Sequence, residues 1–273
     1  MQPKNRSMHL LNKNRSALNL LFLFLGGIVL LFIVAPIAGM YLGTPLKSFT
    51  DAAANDEVRD SIWLSIWTSI AATFLFAFFA IPLAYILARR NFAFKSLING
   101  IIDVPIIIPH SAAGIAVLGI ISRDSLLGQA ADAVGLKFVG NPAGIIMAMA
   151  FVSIPFLINS ARDGFAAVPE RLEKIALTLG ASPARVFFSV SLPLAWRSII
   201  SGFIMMWARG MSEFGAVVIV AYNPQTAPVL IFERFTAYGL KYSVPAAAIF
   251  VLVSLFIFIA LRLFNRKRYN AET

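Results

Sequence analysis

Apolar runs about 20 residues long alternate with short polar segments along the whole chain, and that pattern predicts helices that cross a membrane. The runs cover residues 18–40, 62–88, 97–121, 143–160, 196–222 and 244–264. None of them alternates in and out with a period of two, as the roughly 10-residue strands of a membrane barrel would. The expected fold class is all-α: a polytopic membrane protein of about six transmembrane helices. One domain, 18–264, is flanked by short tails at 1–17 and 265–273. The first run follows a basic tail but exceeds the roughly 7–15-residue core of a cleaved signal peptide, so it is read as a retained span.

Two runs carry residues that an ordinary span avoids. In the third, Pro105 and Pro109 each remove a backbone hydrogen bond and predict a kink or break. Backbone groups freed in lipid persist only where protein or a cavity takes them up. Asp103 lies near one end of this run and reads as a solvated or capping acid, or as a pathway residue. His110, beside Pro109, is a donor on a pathway or the filling of a helix break. In the fifth run, Arg209 lies deep in the apolar stretch and Glu213 follows four residues later on the same face. Two readings stand for that pair: a self-neutralising intrahelical ion pair, or an arginine lining a cavity that offsets an anion's desolvation. Gly114, Gly119, Gly210 and Gly215 in the same two runs suit close helix approach.

The longest polar stretch, 163–193, reads as two short helices meeting at an elbow. Pro169 suits a first helical position. Leu172, Ile175, Ala176 and Leu179 share one helical face, with Glu170, Arg171, Glu173 and Lys174 off it. Gly180 sits where a C-terminal cap takes a left-handed residue. Ser182-Pro183 restarts a helix, which Pro193 is expected to close. A defined helix pair between two spans suggests a docking element.

Composition and charge narrow the classes. The chain is 59% hydrophobic and 13% charged, against about 25% charged in soluble domains. With no cysteine, disulfides, thiolate chemistry and iron–sulfur clusters are excluded. The two histidines are far apart in sequence, which argues against a metal site. The net charge of +10 lies in loops and tails rather than in a nucleic-acid-binding patch. Counting Arg197 and Arg262 with the segments they adjoin, the tails and the second and fourth loops carry 16 lysines and arginines, against 6 in the other loops. The positive-inside rule then puts both termini and the 163–193 element in the cytoplasm, in a plasma-membrane protein. The chain holds no GxxxxGK[ST] loop, HExxH pair or nucleophile elbow. It is expected not to be an enzyme, and any ATP-driven work needs a separate subunit.

The polar stretch resembles the cytoplasmic EAA motif of binding-protein-dependent ABC importer permeases, EAA-x3-G followed about nine residues later by I-x-LP. Lys174-Ile175-Ala176 take the EAA positions, Gly180 the glycine and Leu192-Pro193 the LP. Gly180-Ala181-Ser182-Pro183 matches the common wording around the glycine. Lys174 departs from the motif's acid, while Glu173 supplies one a residue earlier. DVPIIIPHSAAGIAVLG, from Asp103, is similar to the third-span motif of oxyanion permeases, and the stretch from Arg209 to Leu240 to the molybdate/tungstate branch.

The resemblance implies a type I ABC importer permease fold and a homodimer. It also implies two ABC ATPase subunits seated on the 170–183 coupling element and an external molybdate- or tungstate-binding protein. ATP and Mg would be bound by the ATPase, leaving this chain without a cofactor. The translocation pathway would involve Asp103, Pro105, Pro109, His110, Arg209 and Glu213. A sulfate permease is the nearer alternative. An ion-coupled secondary transporter is the more distant one, with six spans and no internal repeat against it. A non-transporting scaffold would leave the capped helix pair unexplained.

Overall fold

The computed structural model describes residues 4–270, with side chains from 18 to 263. Residues 1–3 and 271–273 of the expected tails lie outside that range. The regular elements in the described residues are helices. Two compact units divide the chain between Thr50 and Asp51. The first is dominated by α1 (Lys4–Leu42), whose stretch Leu18–Leu42 is long and apolar enough to span a membrane. Its large side chains from Leu18 to Val34 are exposed, as suits a helix that meets hydrocarbon.

The second unit is built on three long helices, α3 (Asp56–Arg89), α7 (Pro142–Ala167) and α10 (Leu192–Met211). Helix α7 packs against both of the others, and Ile145, Met149, Leu157, Ala161 and Phe165 form the centre of the core. Small residues set these contacts. A Cβ on Gly164 of α7 would lie 2.4 Å from the Ser198 Cβ of α10, and one on Gly202 would lie 3.0 Å from Ser160. Apolar driving force is weak between helices in lipid, so this close approach supplies much of the association.

Helix α3 carries buried hydroxyls, which would be costly in hydrocarbon if unpaired. Ser65, Thr68, Ser69 and Thr73 each donate to a carbonyl one turn back, at 2.5–2.9 Å. Ser65 Oγ also accepts from the Ala227 amide at 2.8 Å, which caps α12 (Ala227–Tyr238). Helix α13 (Leu240–Asn270) packs against α12 and α10.

Two of the predicted spans are broken. The third divides into α4 (Lys95–Ile107) and α5 (His110–Ile121), bent by 112°. Pro105 remains inside α4, and the break falls at extended Ile108 and Pro109, since a residue before proline avoids the helical region. The fifth span, expected to be continuous over 196–222, ends as α10 at Met211 and resumes as the short α11 (Gly215–Val220). At its other end the expected stop at Pro193 does not occur. The helix restarts as α9 (Pro183–Val186), passes through a π-helical turn, Phe187–Ser191, and runs on into α10. The Leu192 amide reaches back to the Phe187 carbonyl. That wider turn makes room for a ring that an α-helix interior would reject. Among the described residues, five helices can span a membrane, or six if the bent pair counts as one.

The tight approach of α7 to α10 gives a direct check. Gly164→Val should cost about 1–3 kcal/mol through overpacking, read as a lowered unfolding temperature in detergent. Gly119→Ala has nothing within 4 Å of its new carbon and should leave that temperature unchanged or raise it.

Candidate functional site

The polar stretch forms α8 (Glu170–Thr178), which ends in a full Schellman cap. Gly180 has φ +85°, its amide donates to the Leu177 carbonyl, and the Ala181 amide donates to Ala176, both at 3.0 Å. Ser182 Oγ then accepts from the Arg185 amide at 3.3 Å and starts α9. Pro169 stands one place before the helix, as its N-cap.

Helix α8 inverts the usual amphipathic arrangement. Leu172, Ile175, Leu177 and Leu179 are exposed, while Glu173 is its one buried residue. Sequence placed Glu173 with the off-face charges, yet its carboxylate is only 11% exposed and bridges to Arg89 at 2.7 Å. Glu173 Oε1 also accepts from Arg89 Nε at 2.9 Å and from Ser191 Oγ at 2.7 Å. Arg89 Nη2 donates to the Val168 carbonyl at 2.9 Å, at the end of α7. Rings of Tyr85, Phe165 and Phe187 pack edge-on or tilted around this junction. Lys174, at the position that departs from the motif, is exposed and pairs with Glu170 at 3.1 Å. That ammonium holds the Glu170 carboxyl below its ordinary range.

The two helix breaks meet. Glu213, in the turn between α10 and α11, is 1% exposed and receives Arg209 Nη2 at 2.8 Å and His110 Nδ1 at 2.9 Å on one oxygen. Its other oxygen accepts from the Ala216 amide at 2.8 Å and caps α11. Arg209 Nη2 also lies 2.8 Å from His110 Nδ1 and 3.0 Å from its Nε2, so the guanidinium packs against the imidazole as well as the carboxylate. Gly215 permits this meeting, since a Cβ there would lie 2.6 Å from the His110 Cβ. Gly114 does the same for α5 against Ala216, at 2.9 Å. The His110 and Arg209 side chains stay 43% and 23% exposed. Cationic and polar groups thus face outward from a buried carboxylate, within helices that are otherwise apolar.

Of the other pathway residues read from sequence, Asp103 stands with different partners. Its Oδ1 accepts from Asn159 Nδ2 at 2.7 Å, across the α4–α7 contact. Pro109 caps the break beside His110, and Pro105 is buried within α4. A cavity of about 610 Å³ opens at the other end of α3 from Arg89, lined by Glu57, Asp60, Trp63, Trp67 and Gln225 among others. Among the described residues no group of three or more acids or histidines is placed to hold a metal ion. Sequence reading missed Arg89, Tyr85 and Ser191. The only signal was that Arg89-Arg90 closes a span, which topology alone accounts for.

Residues 80–269 match the family described as the binding-protein-dependent transport system inner membrane component. The chain is 46% identical to a molybdate/tungstate transport system permease protein of Pyrococcus abyssi, over 89% of this chain and 93% of that one. It is 42% identical to the protein of the same name in Methanocaldococcus jannaschii, over 88% and 94%. A probable sulfate transport system permease protein of Chlorokybus atmophyticus is 32% identical, over 77% and 75%. In fold, the chain is similar to a bacterial ABC transporter involved in import of the acidic polysaccharide alginate, with TM-score 0.68 and 16% identity. That match covers 95% of this chain and 99% of the other. An inward-facing methionine ABC transporter gives TM-score 0.61 at 13% identity, over 79% and 96%.

The shared carboxylate at the helix breaks sets an expectation for stability. Arg209→Met and Glu213→Leu should each cost about 1.5–3 kcal/mol, the range for hydrogen bonds to a charged group. The double change should cost less than the sum, because both remove the same contact. Unfolding of the four proteins in detergent reads out that difference.

Proposed function

As this chain belongs to the family of binding-protein-dependent transport system inner membrane components, we propose that it is the membrane-spanning subunit of an ATP-driven importer for a tetrahedral oxyanion, molybdate or tungstate. Sulfate ranks behind them, because the sulfate relatives are the more distant. Energy comes from two copies of a separate ATPase, substrate from an external binding protein, and both termini lie in the cytoplasm with α8.

The observation that carries this reading is the inverted face of α8. A short helix that buries its acid and exposes Leu172, Ile175 and Leu179 has its apolar surface available to another protein. Seated in an ATPase groove, those side chains would be covered and Glu173 would hold the helix to the bundle from behind. Arg171, Ala176 and the Gly180–Pro183 elbow complete the docking segment.

The path runs past His110 and Arg209. Exposed polar groups inside apolar helices require a second copy, water, or both beside them, which supports a homodimer with the path along its axis. An arriving dianion meets the N-terminal end of α5 and the Arg209 guanidinium. Because Glu213 already neutralises Arg209, the anion competes for a shared cation and gains little net binding. Shallow binding favours passage over retention. The binding protein, not the path, would then set selectivity. Closure of the ATPase pair draws the two α8 helices together and switches access by rigid-body motion of the spans.

Leu172→Asp places a charge on the exposed face and should abolish co-isolation with the ATPase while membrane insertion stays normal. Normal yield of the complex would contradict the docking role. Arg209→Ala should lower uptake by about tenfold, the cost of one charge-assisted hydrogen bond, with the complex still assembled. In competition uptake, unlabelled tungstate should displace labelled molybdate, and sulfate should do so far less.

A further inference from the structure

We infer that the Arg89–Glu173 ion pair is the joint through which movement of the docked α8 enters the membrane bundle, with α3 as the element it drives. This deepens the proposed function, since it rests on α8 being the segment that the ATPase holds. Among the described residues, Glu173 is the only α8 side chain whose hydrogen bonds or ion pairs reach another element. The other polar contacts of α8 side chains, Lys174 to Glu170 and Thr178 to Ile175, stay within the helix. Both chain connections out of α8 are bends, Val168-Pro169 on one side and left-handed Gly180 on the other. Without the ion pair, α8 would swivel on those bends and its displacement would be lost in them.

The far side of the joint is suited to pass movement on. Arg89 is the last residue of α3, and Tyr85, one turn earlier, lies 3.4 Å from the second oxygen of Glu173. The same guanidinium holds the Val168 carbonyl, and Ser191 of the π-helical turn holds the same carboxylate oxygen. One buried pair therefore gathers the ends of α3 and α7, the middle of α8 and the entry to α10. The side chains are 9% and 11% exposed within an aromatic surround, so water does not screen the attraction. From Arg89, α3 runs roughly 50 Å, at about 1.5 Å per residue, to the cavity that Glu57 and Asp60 line. Along the way Ser65 caps α12. A displacement applied at Arg89 has one continuous helix, with Pro82 its sole interior proline, leading to the far end of α3. The lysine at position 174 is compatible with this arrangement, because the anchoring acid is Glu173.

The test uses the full chain with its ATPase subunits and binding protein in proteoliposomes, and reads ATP hydrolysed per anion taken up. Arg89→Met/Glu173→Met removes both charges, so neither is left buried alone. Uptake should fall by about a hundredfold or more, the loss expected from two charge-assisted bonds, while the complex assembles and hydrolysis stays within about twofold. A parallel fall in uptake and hydrolysis, loss of assembly, or unchanged uptake would each overturn the inference. The chain has no cysteine, so Arg89→Cys/Glu173→Cys can be rejoined by a short bifunctional thiol reagent, with an ATPase lacking accessible cysteines. Rejoining should restore uptake; a formed link that restores nothing would count against the joint. Absence of ATP-driven uptake by the unaltered complex would instead refute the function on which the inference rests.

Discussion

A helix that stops inside a membrane leaves backbone groups that hydrocarbon cannot satisfy, and this fold depends on how those groups are taken up. The α4–α5 break relies on Pro109, which has no N–H to satisfy, and three other helix ends are closed by a side chain. Glu213 caps α11 through the Ala216 amide while holding Arg209 and His110. Ser65, from the middle of α3, caps α12 at Ala227. Arg89 reaches the last carbonyl of α7 at Val168 and carries Glu173 with it. The same contacts that satisfy these backbone groups also tie separate helices together.

That constraint explains why charge appears where it does. Among the described residues, Glu213 and Glu173 are the two buried carboxylates, and each sits at a junction of three or more segments. Neither adds much net stability, since desolvation offsets most of the attraction within a buried pair. What they specify is arrangement. Glu213 fixes where the two broken spans meet and leaves a guanidinium facing outward. Glu173 fixes α8 against the bundle and leaves its leucines facing outward. In both places a buried acid organises the interior so that a different chemistry is presented at the surface: positive charge in one, apolar side chains in the other.

The parts legible in sequence were those decided by local backbone chemistry. The break at Pro109, the left-handed cap at Gly180 and the restart at Ser182 follow from what single residues permit, and all three are present. The six apolar runs likewise correspond to the five long apolar helices and the bent α4–α5 pair. What sequence hid depends on partners distant in the chain. Arg89 and Glu173 are 84 positions apart, and nothing local separates a buried arginine from one that marks the membrane edge. The fifth span looked continuous because no proline lies at 212–214. Its break is sustained by the cap from Glu213 and by His110, 103 residues before Glu213 in numbering. Pro193 looked like a stop because a π-helical turn, which accommodates its ring, has no clear sequence signature.

A permease that moves an oxyanion with energy delivered by another protein does nothing without that protein. The most direct measurement is uptake of labelled molybdate into vesicles that carry the chain with or without its ATPase subunits. Uptake is expected only when the ATPase subunits, ATP and the binding protein are all present, with no effect of a protonophore. Uptake by the chain alone, abolished by the protonophore and indifferent to ATP, would contradict this expectation.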